Sequence, residues 1–373
     1  MRILLISDVD SPHTQQWVSG LVGRGLEIGI FSLRDERLGW TDDLPQVRVL
    51  YARTPTYFPA LGVLNNINLF TYGPSLRRAV RDFRPDLIHA HNLGNHGLVA
   101  ALAGVQPLLL SAWGSDIFSH PHRSWFHHYW TRYTLRRGQR ILATSKVLAE
   151  ETAKYCEQAV ALTPFGIDTQ RFAPRPRKHR FGAGKLLLGS VKSLEPVYNH
   201  AWTLRCFAQL CRQLPEVPLE LVLVGKGSLA DALRGLAAEL GVAEKVHFTG
   251  LIPYAQIPEI LAEIDIFVNV SKRESFGVAV LEASATERPV VATRVEGLPE
   301  VVEEGRTGFL IPLGDDATFV RTLERLVQQA DLRRELGRAG RKFVQQHYEK
   351  EACIDRMIAI YQETLASDRD RHK

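Results

Sequence analysis

The chain has no CxxC pair, no GxGxxG fingerprint, no lysine-rich run and no apolar stretch of membrane-spanning length. Each absence excludes a class. The four cysteines (Cys156, Cys206, Cys211, Cys353) are scattered, which fits reduced cytosolic thiols better than a disulfide frame or a metal site. A net charge of +5 without a lysine-rich run or zinc spacing argues against a dedicated nucleic-acid binder. The glycine fingerprint is missing from residues 8–13, the turn where a dinucleotide fold would carry it. The apolar residues 3–6 stop at Ser7-Asp8, too soon for a signal-peptide core. Residues 98–112 are split by Gly104 and Pro107 and read as helix then strand rather than a membrane span. The expected location is cytoplasmic.

What is present is alternation. A chain of 373 residues, 45% apolar and 23% charged, suits two soluble domains. Residues 2–6 read as a strand and residues 14–24 as a helix with Trp17, Val18, Leu21 and Val22 on one face. Gly25 closes that helix and residues 27–33 form the next strand. Further strands are expected at 86–90, 107–111, 140–144 and 159–162. Such alternation predicts a parallel, doubly wound sheet with ligands beyond its carboxyl edge. His13, His89, His91, Trp113, Asp116 and Ser145 fall on that edge and read as a cleft wall.

Residues 169–184 are rich in proline and arginine and read as a linker. A second series follows, with strands at 186–189, 219–224, 246–249 and 264–269 separated by helices at 200–214, 229–240 and 257–262, then a helix at 277–285. From 315 to about 365 the chain reads as helical. The expected organisation is a first α/β domain (1–168), a linker (169–184), a second α/β domain (185–348) and a helix (349–373) that returns to the first domain.

Two stretches combine aromatic and basic residues. Residues 120–140 carry Trp125, Phe126, Tyr129, Trp130 and Tyr133 among five arginines and contain no acid. Residues 55–84 run from an apolar segment into Arg77, Arg78, Arg81 and Arg84. Such faces fit peripheral contact with an anionic membrane or a lipid-linked substrate. The alternative is a helix that packs its aromatics inward and solvates its arginines.

Residues 269–308 concentrate the chemistry. Glu274 and Glu282, with seven residues between them, straddle a helix start at Phe276–Gly277–Val278. The first N–H groups of that helix lack helical acceptors and suit a diphosphate. Glu282 lies roughly 8 Å further along the axis, where a carboxylate can accept from vicinal ribose hydroxyls. A nucleotide-sugar accounts for both features.

This block, ESFGVAVLEASATERPVVATRVEGLPEVVEEGRTGFLIP, resembles the retaining GT-B glycosyltransferases of the large E-x7-E family (glycosyltransferase family 4, group 1), which includes sucrose synthase and phosphatidylinositol mannosyltransferases. PFGIDTQRF, LVGKGS, FTGLIP, VKSLE, DLIHAH and WGSD extend the resemblance over nearly the whole chain. It implies two Rossmann-like domains facing across a cleft, and retaining transfer without metal or cofactor. The donor is a nucleotide-sugar, UDP-sugar before GDP-sugar. The acceptor is a glycan or lipid-linked hydroxyl in cell-surface polysaccharide or glycolipid synthesis.

By the same resemblance Lys192 and the amides of Ser275, Phe276, Gly277 and Val278 hold the phosphates, while Gly225, Lys226, Gly227 and Ile252 border the nucleotide. Glu282 takes the ribose and Glu274 the donor sugar. His91 and Asp116 join Glu274 as catalytic candidates, and His13 and Trp113 lie on the acceptor side. Four positions depart from the pattern. Val197 stands at a second cation's place and Trp113 at that of a common histidine, while Glu287 and Glu296 replace turn glycines and read as surface variation. Lys226, Lys272 and Arg294 are the candidate substitutes for the cation. The departures leave open a catalytically weakened nucleotide-binding module or synthase subunit; a sugar-nucleotide epimerase has little specific support.

Overall fold

The computed structural model describes residues 1–33, 39–51 and 68–371. The chain divides into two compact units, Met1–Phe165 with Glu351–Lys373, and Gly166–Lys350.

The first unit contains strands β1 (Arg2–Ile6), β2 (Glu27–Ser32), β3 (Val47–Tyr51), β4 (Leu87–His91), β5 (Leu108–Ala112), β6 (Arg140–Ala143) and β7 (Val160–Leu162). They form one seven-stranded sheet in the order β3-β2-β1-β4-β5-β6-β7. Every pairing is parallel, for example Ile3 with Ile28 and Leu87. Central strands β4 and β5 are buried at every position, as expected for a parallel sheet covered on both faces. Leu4, Ile6, Phe31, Phe83, Ile88, Leu110 and Ile141 form its core.

The helix Lys350–Arg371 completes this unit. Tyr361 is buried and its hydroxyl lies 2.8 Å from His89 Nδ1. Ile354 fills the space beside Gly20, where a Cβ would come within 2.0 Å of it. The helix runs about a turn and a half beyond the expected end near residue 365, and near that end Asp368 accepts a bond from Gln139 Nε2 at 3.2 Å.

The second unit contains β8 (Leu186–Val191), β9 (Leu219–Val224), β10 (Val246–Gly250), β11 (Ile266–Asn269), β12 (Val290–Thr293) and β13 (Gly308–Ile311). The sheet order is β10-β9-β8-β11-β12-β13, again all parallel. Helix His200–Gln213 packs Leu204, Phe207 and Leu210 onto it, and Trp202 meets Phe319 of helix Asp316–Gln328. The edge strands β3 and β13 were not anticipated; both are short, and β3 is half-exposed with weak alternation.

The basic stretch read as a linker is bound to the second unit. Arg177 pairs with Asp265 at 2.9 Å, Lys178 with Glu259 at 3.2 Å, and Arg180 also pairs with Glu259. Glu263 accepts the backbone N–H of Lys178 at 2.6 Å. Arg177 neutralises Asp265 just beyond the carboxyl end of helix Ile257–Glu263, where negative charge is otherwise unfavourable, whereas Glu259 lies in its first turn. Of the stretch at 55–84, residues 55–67 lie outside the described residues. The rest forms helix Asn68–Phe83, which buries Leu76, Ala79 and Phe83.

Candidate active site

The carboxyl edge of the second sheet gathers the predicted donor residues. Strand β8 ends beside Lys192, and strand β11 leads through Asn269 and Ser271 into Glu274. Lys192 Nζ bonds Glu274 Oε2 at 2.6 Å, and both side chains are largely covered. Burial opposes the ammonium charge, but Glu274 holds the Lys192 pKa above its ordinary value. The Tyr198 ring lies 5.1 Å from the same ammonium. Ser271 Oγ stands 3.4 Å from Glu274 and 2.6 Å from the buried Asn269, which fixes the loop floor.

Gly277, at φ 103°, turns the chain into helix Val278–Ala285, which carries no side-chain cap. Its first N–H groups precede any intrahelical acceptor. Glu282 lies in this helix, buried, and accepts a 2.7 Å bond from the Tyr254 hydroxyl. Burial pushes the Glu282 pKa up to about 7, against the opposing pull of Tyr254, Lys192 and Arg171. Burial, reinforced by Glu282, raises the Tyr254 phenol. The Arg171 guanidinium sits 4.5 Å from the Tyr254 ring centre, with Phe172 behind it at 5.7 Å.

The glycine loops are set by close packing. A Cβ on Gly225 (φ 145°) would meet the Lys192 carbonyl at 2.2 Å, and Gly225 N donates to Gly250 O at 2.9 Å. One on Gly227 would meet Leu194 at 2.5 Å. Lys226 is exposed, and Ile252, just after Gly250, is half-buried. Ser275 and Phe276 lie against Gly297, whose Cβ would come within 2.4 Å of Ser275 O.

Two acids first read as surface variation adopt left-handed backbone, Glu287 at φ 61° and Glu296 at φ 39°. Glu296 belongs to the site. Its carboxylate accepts the Glu274 N–H at 2.8 Å and Arg273 Nε at 2.6 Å. Among the proposed substitutes for a second cation, Arg294 is paired with Glu304 at 2.9 Å, while Lys226 and Lys272 are exposed. Val197 is exposed at 36% and accepts the Lys272 N–H through its carbonyl.

The carboxyl edge of the first sheet holds the other candidates. Asp116 is buried, and its oxygens accept N–H bonds from Gly114 at 2.7 Å, Leu93 at 2.8 Å and Trp113 at 3.1 Å. Burial raises its pKa while these bonds oppose the rise. The carboxylate thus braces two loops rather than presenting a free oxygen. His91 is also buried, with Nδ1 3.1 Å from Ser7 Oγ and its ring 4.6 Å from Trp113. Burial and neighbouring histidines hold it well below the usual imidazole range. Both groups, expected as catalysts, have positioning contacts in this geometry. His13 stacks on Phe165 at 4.1 Å, with Trp113 at its edge.

Sequence reasoning missed Tyr254, Arg171 and the role of Glu296. Glu296 carried a signal: an acid stands at a turn position where glycine is usual.

Comparison with known proteins agrees with this arrangement. Residues 173–343 match the family "Glycosyl transferases group 1", and residues 2–145 match "Glycosyl transferase 4-like". EpsD of Bacillus subtilis (strain 168), a protein named as a glycosyltransferase, is 29% identical over 320 residues, covering 81% of this chain and 82% of its own. The N-acetyl-alpha-D-glucosaminyl L-malate synthase of Bacillus anthracis is 24% identical, covering 84% of this chain and 86% of its own. Among solved structures, sucrose-phosphate synthase from Thermosynechococcus elongatus superposes with a TM-score of 0.83 at 21% identity, covering 98% of this chain and 100% of its own. Anabaena HepE in complex with UDP and glucose gives 0.79 at 20% identity, covering 97% and 100%. The matched regions, taken with the two parallel-sheet units, place this chain in the group 1 glycosyltransferases of GT-B fold.

Proposed function

We propose that the enzyme transfers a sugar from a UDP-sugar, with retention and without a metal, to a hydroxyl of a glycan or lipid-linked acceptor in cell-surface polysaccharide or glycolipid synthesis. The observation that carries this reading is the meeting of Lys192, Glu274 and Glu282 around one uncapped helix start.

The diphosphate binds the first amides of helix Val278–Ala285 and Lys192, which offset its charge as the donor bond breaks. Glu282 accepts from the ribose hydroxyls and Glu274 from the donor sugar. Gly225, Lys226, Gly227 and Ile252 border the base. The acceptor oxygen bonds the anomeric carbon on the face the diphosphate leaves. Its proton passes to the departing phosphate oxygen, so the products are glycoside and nucleoside diphosphate. No enzymic nucleophile takes part, and His13 and Trp113 line the acceptor side. UDP is preferred because HepE, of like fold, has been crystallised with UDP and with UDP-glucose. A relative from Mycolicibacterium smegmatis named as GDP-mannose-dependent, 35% identical over 172 residues, makes GDP the competing donor.

We further propose that the enzyme works at the cytoplasmic side of the membrane. Among the described residues no helix is long and apolar enough to cross it. Calorimetry with UDP and GDP, followed by turnover of a sugar-nucleotide panel, tests the donor. Tighter UDP binding and UDP release on transfer are expected. Binding of neither nucleotide at millimolar concentration overturns the reading.

A further inference from the structure

Helix Trp125–Arg137 starts at Ser124, whose side chain accepts the His127 N–H. One face is built into the first unit through Thr131, Thr134 and Leu135, all buried, with Trp130 and Tyr133 packed beside the core. The opposite face is unusual. Trp125 is 80% exposed, Tyr129 56% and Phe126 44%. These three rings lie within a little over one helical turn and touch edge to face, Phe126 and Tyr129 each leaning on Trp130. The structure thus decides between the two readings of this segment: Trp130 and Tyr133 pack inward, while the other three point to solvent. Contiguous exposed aromatics on a folded domain mark a contact surface.

The charge on the same helix identifies the partner. No acid occurs from His120 to Arg140, and Arg123, Arg136, Arg137 and Arg140 are exposed. One to two turns beyond Tyr129, Arg132 and Arg136 line a cavity of about 380 Å³ together with Lys154, Tyr155 and Cys156. Glu157 is the one carboxylate of its lining. Glu151 is paired with Lys154 at 2.6 Å and stands 3.9 Å from His122. Exposed aromatic rings and arginines on one helix match the make-up of a helix lying in the plane of a bilayer interface. Tryptophan and tyrosine enter at the headgroup level, and guanidinium groups stay at the phosphates.

We propose that this face docks on an anionic phospholipid bilayer, with Trp125, Phe126 and Tyr129 entering the interface and the Arg132–Arg136 cavity taking a lipid phosphate. Helix Trp125–Arg137 then lies flat on the membrane rather than crossing it. The use of this surface rests on the reading of a membrane-side acceptor; its detection does not.

The test is co-sedimentation of the full chain with vesicles of equimolar phosphatidylglycerol and phosphatidylcholine, and with phosphatidylcholine alone, reading tryptophan emission in parallel. Expected are binding to the anionic vesicles, a blue shift, and weakening at high salt. The exposed pair Trp125→Ala/Phe126→Ala should lose about tenfold or more in vesicle affinity, and Arg132→Gln/Arg136→Gln should lose the preference for anionic lipid. Three outcomes overturn the proposal: no sedimentation of the wild type, equal sedimentation of the aromatic variant, or full competition by inorganic phosphate, which would make a soluble anion the ligand. UDP affinity is measured on the same samples. Loss of docking with UDP binding intact sinks only the surface; docking without UDP binding sinks only the donor reading.

Discussion

Glu296 holds Glu274 through the backbone: its carboxylate accepts the Glu274 N–H at 2.8 Å, while Gly297 N donates to the Glu274 carbonyl at 2.9 Å. Glu274 is thus gripped through both its N–H and its carbonyl by one turn. That turn contains a non-glycine residue at φ 39°, a conformation costing about 1 kcal/mol. Glu296→Ala keeps the strain and loses the grip, whereas Glu296→Gly relieves the strain and loses the same grip. Both variants should raise the donor KM about tenfold, with the glycine variant about 1 kcal/mol the more stable in urea unfolding. Glu296→Gln, which keeps an acceptor oxygen, should recover most of the activity. Unchanged KM in the alanine and glycine variants would reduce Glu296 to a structural staple.

The Lys192–Glu274 pair is largely buried, so removing one partner should cost more than removing both. Lys192→Met leaves a covered carboxylate without its cation and is expected to lose about 2–4 kcal/mol of stability. Lys192→Met/Glu274→Gln should recover part of that loss. On the proposed roles of Lys192 toward the diphosphate and Glu274 toward the donor sugar, both proteins should lose transfer by a hundredfold or more. Chemical unfolding and single-turnover rates check the two halves separately.

The raised pKa of Glu282, about 7, gives a pH signature. A carboxyl whose folded pKa exceeds its unfolded value binds more protons when folded. Stability from this group is therefore present below the folded pKa and falls as pH rises from about 4.5 to about 7. Glu282→Gln should flatten that part of the profile. Ribose hydroxyls favour the carboxylate, so UDP binding near pH 6.5 should release a fraction of a proton, readable by calorimetry in buffers of different ionisation enthalpy. Tyr254→Phe removes a bond that lowers this pKa and should move the release to higher pH. Proton release unchanged in Glu282→Gln would move the ribose contact elsewhere.

Val197 is exposed and contributes its carbonyl, not its side chain, to the Lys272 contact. Val197→Lys should therefore fold normally, within about 0.5 kcal/mol of wild type. If a second phosphate cation is what this site lacks, kcat/KM should rise about tenfold. An unchanged rate would mean that existing cations already suffice.

The fold was readable because buried parallel strands are written as short apolar runs and the helices between them repeat at helical spacing. Leu219–Val224 emerged with its expected ends, whereas the half-exposed β3 and short β13 carry too little pattern to stand out. The proximity of Glu274 and Glu282 to one helix start was legible because one loop and one helix present both. Tyr254 and Arg171 were not, since each arrives from a separate segment and only the folded sheet brings them to Glu282. Asp116 reads as a strand-end acid in the sequence, where its burial and its backbone donors leave no mark. The structure adds three backbone N–H groups held by its carboxylate.

The helix Lys350–Arg371 gives the chain an order of assembly. Tyr361 meets His89, and Ile354 covers Gly20, yet both are synthesised after every residue of the second unit. On the ribosome the partner of His89 is still unmade when the last residue of the second unit has been added. The domain that begins translation is thus the one whose final element arrives latest, and a stop codon before Tyr361 would leave His89 Nδ1 without that hydroxyl.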